Sequence, residues 1–295
     1  MIRDFSTGNT PALRATAEAW LTGEHGDPVS VRPAATVMIV RDAAERDAIG
    51  GSPAAGSPVE VFLLRRVASM AFAPSTIVFP GGGVDSRDGV ELPWAGPGVR
   101  EWSVRLGADE DSTRMLVVAA VREVLEECGV LFASTTEDGP LVDVSSPEWQ
   151  QVRAGLVARE LSLSDVLLRH GLCLRTDLLR AHAHWVTPVF EPRRFDTRFF
   201  VALMPEGRAI DGDTSEADHA GWFDPAAVLA DYADGRAIVL PPTLVCLEDL
   251  ARVGSAAEFF AQEPVIRRIM PELVVDDSGN AVVRVDFAGT KAPRG

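Results

Sequence analysis

The 295-residue chain has no run of about 18 apolar residues, so it offers no candidate membrane-spanning helix. Its opening, MIRDFSTGNT, lacks the apolar stretch of a secretory signal, and its closing KAPRG is not a peroxisomal address of the Ser-Lys-Leu type. The expected location is the cytoplasm. Cysteine is scarce: Cys128, Cys173 and Cys246 lie far apart, and none has another Cys at zinc-like spacing. An odd, sparse set excludes a disulfide framework, fits a reducing compartment and reads as small buried hydrophobes. Positive charge is also short. Lys and Arg number 28 against 43 Asp and Glu, leaving a net charge of −15 and a pI near 4.8. Long nucleic acids call for a basic face, because phosphate contacts carry most of their affinity, so that class of partner is excluded. A small anionic substrate is compatible with this charge only where cations neutralise it locally.

What the chain does have is a hydrophobic content of 46%, enough for a sizeable core in one large domain or two small ones. TPALRATAEAWLTG predicts a helix, with Thr10 as N-cap, Pro11 at the first position and Gly23 past the end. AATVMIVRD and VEVFLLRRV predict a hairpin whose enlarged loop is the Ala/Gly/Ser/Pro-rich stretch between them. STIVFPGGGVD reads as strand and glycine turn. Residues 86–111 read as an inserted loop with one helical turn around Trp102, and residues 145–180 as a helical insertion starting at Ser146. AHWVTPVF, RFFVALMP and HAGWFD are expected strands, followed by helices after Asp224 and at Pro241–Pro242. The irregular mixture predicts an α/β or α+β fold. Its expected parts are an N-terminal helical extension over 1–30, a main domain over 31–250, and a C-terminal extension over 251–295 packed on it.

The stretch AAVREVLEECGVLF, from Ala119, concentrates acidic residues on a helix. At 100° per residue, Glu123, Glu126 and Glu127 share an arc of about 100°, with Arg122 beside Glu126. Val117, Val118, Val121, Val124, Leu125 and Cys128 form the opposite, core-facing stripe. Ala119 and Ala120 flank the acidic arc and leave room for something bulky over it. A solvated face is the plain reading; oxygen ligands converging on a hard cation such as Mg²⁺ or Mn²⁺ is the functional one. Pro80–Gly83 ends a strand either as a tight turn or as backbone that approaches a metal or phosphate. It is neither the dinucleotide pattern nor a P-loop.

Strand, glycine turn, insertion and a helix carrying R-E-x-x-E-E-x-G together resemble the Nudix hydrolases. Arg122, Glu123, Glu126, Glu127, Gly129 and Val130 match the end of that family's motif. Its first half is displaced: Ala108 and Arg114 stand where the family has Gly and Glu, with Glu91, Asp109, Glu110 and Asp111 nearby. An interrupted motif resembles the branch that includes peroxisomal coenzyme A diphosphatases, and FLLRR, VFPGGGVD, WVTPVFEPRRFDTRFFVALMP and SEADHAGWFDP extend the likeness over most of residues 33–250.

The resemblance implies a Nudix-like α/β/α sandwich with a mixed central sheet and extra helices. It implies hydrolysis of a small-molecule diphosphate, X-P-P-Y, with Mg²⁺ or Mn²⁺. Glu123, Glu126 and Glu127 become metal ligands, aided by the Gly81 carbonyl, and Arg122 orients them. The general base is a motif glutamate or a later-loop acid, Glu216 with Asp213 and Asp218 as rivals. Arg65, Arg66 and Arg194, along with Arg193 and Arg198, are candidate phosphate contacts. Coenzyme A or acyl-coenzyme A is the favoured substrate, ahead of NADH, ADP-ribose or a nucleotide sugar. Neither nucleic acid nor membrane is expected as a partner; a homodimer stays open. His182 and His184 read as an ordinary histidine pair. Trp185, Trp222, Phe195 and Phe199 are core or base-stacking residues. The rival readings are an inactive ligand-sensing domain and an acidic helix that only aids solubility.

Overall fold

The computed structural model describes residues 1–8, 11–43, 56–67, 73–212 and 217–288. Thr10, Asp213, Glu216 and most of the expected hairpin loop lie outside the described residues. The sheet at the centre grows from runs of β-branched and aromatic residues. Its path is Ile238–Val239, Thr76–Val78, Val59–Arg66, Val31–Asp42, Arg194–Leu203, Arg180–Val186, Arg268–Ile269. Ala217–Phe223 pairs with Val59–Arg66, and Gly81–Gly83 with Val31–Asp42. Val31–Asp42 runs parallel to Arg194–Leu203 but antiparallel to Val59–Arg66, so the sheet is mixed. The pairing of Val40 with Val61 is the predicted hairpin.

Both faces of this sheet are covered, which is why Val37, Met38, Ile39 and Val40 are all fully buried in one unbroken apolar run. Ala35, Val37, Ile39, Phe62 and Leu64 face one side and pack with Val117, Val121 and Val124 of the helix Glu110–Cys128. Met38, Val40, Val59 and Val61 face the other and pack with Leu244 and Leu247 of Pro241–Leu250 and Phe259 of Ala256–Phe260. The result is the expected α/β/α arrangement.

The acidic helix starts at Glu110 rather than Ser112, because the Asp109 carboxylate accepts from the Ser112 amide at 2.8 Å and caps it. Gly129, at φ +64°, ends it. Ser146 and Asp224 cap their helices as predicted, and Pro241 opens the next. The inserted stretch is more ordered than expected. It holds a 3₁₀ turn, Ser86–Gly89, and an eight-residue helix, Val99–Leu106, anchored by buried Trp102 and Leu106. The expected strand AHWVTPVF stops at Val186, two residues before Pro188.

The N-terminal segment is not helical alone. Ahead of the helix Pro11–Thr22 runs a strand, Ile2–Ser6, which pairs antiparallel with Ala281–Asp286; that strand pairs in turn with Glu272–Val275. Among the described residues, no helix is long and apolar enough to cross a membrane.

Candidate active site

The motif helix delivers Arg122, Glu123, Glu126 and Glu127 to one place. Arg122 donates through Nη1 to Glu123 Oε1 at 2.7 Å and to Glu126 Oε1 at 3.1 Å. Its Nη2 donates to the Gly83 carbonyl at 2.8 Å and to Asp88 Oδ2 at 3.2 Å, and its Nε to Asp88 Oδ1 at 3.1 Å. One guanidinium thus binds three carboxylates and a backbone carbonyl, a use of its planar donor fork that Lys could not match. The cluster is not a wet face: Glu123 is 8% exposed, Glu127 7% and Asp88 1%. Burial pushes the Asp88 and Glu126 carboxyls above their usual range, with Arg122 pulling them back down. Burial works to lower the Arg122 pKa, but Glu123, Asp88 and Glu126 together raise it well above normal.

Asp88 is the acid that the inserted segment brings to Arg122. None of Glu91, Asp109, Glu110 and Asp111 lines the cleft, and Asp109 is a helix cap. The signal for Asp88 was present as D-S-R-D: Asp85 and Asp88 form a reciprocal capping box around the 3₁₀ turn, with the Asp85 amide donating to Asp88 Oδ2 at 2.8 Å. Arg153, also missed, is buried on the neighbouring helix. Its Nε donates to the Glu126 carbonyl at 2.9 Å and its Nη1 to Asp211 at 3.0 Å, tying down the C-terminal turn of the motif helix.

The glycine strand lies directly against the acids. The Gly81 amide donates to Glu127 Oε2 at 2.7 Å. A Cβ on Gly82 would sit 2.5 Å from Glu123 Oε1, and one on Gly81 2.5 Å from the Ala35 carbonyl oxygen. The run is glycine because backbone and carboxylates share this space. Ala119 and Ala120, by contrast, do not clear room above the acids. Both are fully buried in the core, where small side chains let helix and sheet approach.

Acids and glycines open onto a cleft of about 780 Å³. Arg66 lines it, as do Arg32, Arg87, Arg159 and Arg193. Arg65 and Arg194 do not: Arg65 donates to Asp218 at 2.7 Å on the exposed surface, and Arg194 to the carbonyls of Thr187 and Val29. Strand direction is the cause, since neighbouring residues on a strand point to opposite faces. Arg198 is buried with His184 and Asp196, and its Nε donates to the Leu106 carbonyl at 3.0 Å. Trp185, Phe195 and Phe199 line the cleft, whereas Trp222 packs edge-on to Phe62.

The donor set suits a hard divalent cation in type, being carboxylate oxygens: buried Asp88, Glu123 and Glu127 and half-buried Glu126, three of them bound by one arginine. In this arrangement the carboxylates are gathered by Arg122 and the Gly81 amide, and among the described residues no three acids, histidines or cysteines converge on one point.

A three-layer α/β/α sandwich around a mixed sheet, with an R-E-x-x-E-E helix set against a glycine strand, defines a Nudix-type domain. No protein-family model matches the chain. It is 31% identical over 193 residues to nudix hydrolase 7 of Caenorhabditis elegans, which covers 65% of this chain and 56% of that protein. It is 26% identical to the acyl-coenzyme A diphosphatase NUDT19 of Xenopus laevis, over 68% of this chain and 62% of the other. The chain therefore spans only about 56–62% of the length of these curated relatives. The crystal structure of a Nudix hydrolase from Alicyclobacillus acidocaldarius superposes with a TM-score of 0.60 at 27% identity, covering 80% of this chain and 98% of that one. In sequence and fold the chain is similar to Nudix hydrolases, and it resembles the branch with an interrupted motif.

Proposed function

We propose that the protein hydrolyses a nucleoside-diphosphate-linked small molecule, X-P-P-Y, with Mg²⁺ or Mn²⁺, and that coenzyme A or an acyl-coenzyme A is its favoured substrate. The observation that carries this is the facing of Glu123, Glu126 and Glu127 against the glycine strand at the floor of a cleft. The likeness to an acyl-coenzyme A diphosphatase favours the substrate over NADH, ADP-ribose or a nucleotide sugar. The intact acid set argues against an inactive sensor. Three buried thiols fit a reducing compartment, the cytoplasm.

Glu123, Glu126 and Glu127 would hold the cation, with Arg122, braced by Asp88 and Gly83, fixing the side chains of Glu123 and Glu126. A bound divalent ion neutralises phosphate oxygens and lowers the pKa of water, which is the chemistry the substrate's charge demands. The Gly81 amide holds Glu127 in position, and the absent Cβ at Gly82 keeps Glu123 uncrowded. Arg32, Arg87, Arg159 and Arg193 supply positive charge to a polyanion along the cleft. Glu216 stays the leading candidate for general base among the later-loop acids. The test is a panel of diphosphate compounds incubated with Mg²⁺ or Mn²⁺, read by release of phosphorylated fragments. Metal-dependent cleavage that Glu127→Gln abolishes, with the fold intact, is the expected result. Absence of cleavage across the panel refutes the proposal.

A further inference from the structure

The proposed reaction uses one end of the cleft. The whole space, about 780 Å³, is near the upper end of small-molecule pockets, roughly 300–1,000 Å³, and exceeds what a diphosphate on the acid cluster needs. Beyond the acids the cleft passes Arg32, Pro33 and Ala34 at the start of strand Val31–Asp42. It continues among side chains of the core on the sheet face opposite the motif helix. Phe79, Trp185, Phe199 and Val283, all buried, wall this far end together with Leu13 and Pro241. Leu13 comes from the helix Pro11–Thr22 and Val283 from the strand Ala281–Asp286, so segments near both termini build the chamber.

Polar groups there are few. Thr187 Oγ1 already accepts from the Phe195 amide at 3.0 Å, and Thr16 donates to the Ala12 carbonyl at 2.9 Å. The low polarity registers on Glu191, which lines the same stretch: burial alone pushes its carboxyl up to about 7. A nucleobase edge placed here would leave several donors and acceptors without partners, at a cost a hydrocarbon chain does not incur. Among the cleft arginines, Arg122 bonds the acids, Arg87 bonds Asp85 and the Arg159 carbonyl beside them, and Arg32 stands at the start of strand Val31–Asp42, which suits the nucleotide half.

We propose that this chamber, walled by Leu13, Phe79, Trp185, Phe199 and Val283, receives an apolar hydrocarbon chain tethered to the diphosphate that lies on the acids. The site sets chain-length preference for the diphosphatase reaction, and it rests on that reading. An acyl thioester of coenzyme A and a lipid-linked nucleoside diphosphate share this chemistry.

The test measures kcat/KM for coenzyme A and its acetyl, hexanoyl and decanoyl thioesters, with ADP-ribose as a chainless control and cytidine-diphosphate diacylglycerol as the lipid-linked arm. Each methylene buried is worth up to about fourfold, so the acyl series is expected to rise at least tenfold, chiefly through KM. Preference for the diacylglycerol compound instead assigns the chamber to lipid. Thr16→Trp, or Leu13→Trp should the first variant fold poorly, fills the chamber. Either is expected to flatten the series while leaving ADP-ribose and coenzyme A cleavage within about threefold. A flat wild-type series with no preference for either chain-bearing compound, or a slope that both variants retain, overturns the inference while the diphosphatase reading stands. Should no diphosphate be cleaved, that reading falls and Trp185 fluorescence decides the chamber. Quenching by decanoic acid that Thr16→Trp and Leu13→Trp both abolish keeps it, and no response in the wild type overturns it.

Discussion

The two ends of the cleft are built on opposite plans. At the acid end, one guanidinium is fixed by five hydrogen bonds to Asp88, Glu123, Glu126 and the Gly83 carbonyl. At the apolar end the walls are packed hydrophobes and Glu191 has its carboxyl raised by burial. Polar geometry is specified atom by atom, since a buried charge without its partner is costly. Apolar walls are specified by volume and tolerate exchange of similar shapes. The acid end should therefore respond sharply to single-atom changes, and the far end gradually.

The largest effect is expected from Arg122→Met. It leaves buried Asp88 and Glu123 and half-buried Glu126 without their shared cation, and a loss of about 3–5 kcal/mol is expected in urea unfolding. A comparable volume change at Leu13 that proved equally destabilising would erase the contrast. Gly82→Ala comes next. Its new Cβ would lie 2.5 Å from Glu123 Oε1, so the carboxylate must shift. A fall in kcat of about 10–100-fold is expected, with the melting temperature changing by only a few degrees.

Glu191→Gln sharpens the other side. The folded-state pKa near 7 lies above the usual carboxyl range, so the folded chain holds a proton that the unfolded chain releases from about pH 4.5 upward. The wild type then loses stability as pH rises to about 7 and is level above it. The amide has no such loss. It should match the wild type near pH 4 and exceed it by about 3 kcal/mol at pH 8, measured by thermal melts across that range. The smallest effect is expected at Arg65→Ala. Its pair with Asp218 is half-exposed, so stability should change by no more than about 0.5 kcal/mol and turnover by less than twofold.

Much of the acid end could be read from the chain because its parts are local. Arg122 to Gly129 is one helical stretch with a glycine stop, and its carboxylates share an arc fixed by the 3.6-residue period. The caps at Ser146 and Asp224 follow from short-range hydrogen bonding in the same way. Asp88 was not found, because nothing in spacing says that a 3₁₀ turn 34 residues upstream folds back onto Arg122. Ala119 and Ala120 were misjudged because helical angle alone does not say how closely the sheet approaches. Arg65 and Arg66 differ in role because the strand alternates. The apolar chamber was invisible, since its walls come from residues as distant as Leu13 and Val283.

The small sheet near the termini has a bearing on how the protein folds. Asp4 and Arg284, paired across it, are 280 residues apart. Closing a loop of that size carries an entropy cost that the closing contacts themselves must offset, and such non-local pairings slow folding. The acid cluster, drawn from Gly81 to Glu127, is closed by far shorter loops. Loop length alone therefore favours gathering the acid cluster before the apolar chamber, whose Val283 comes from the strand Ala281–Asp286 near the end of the chain.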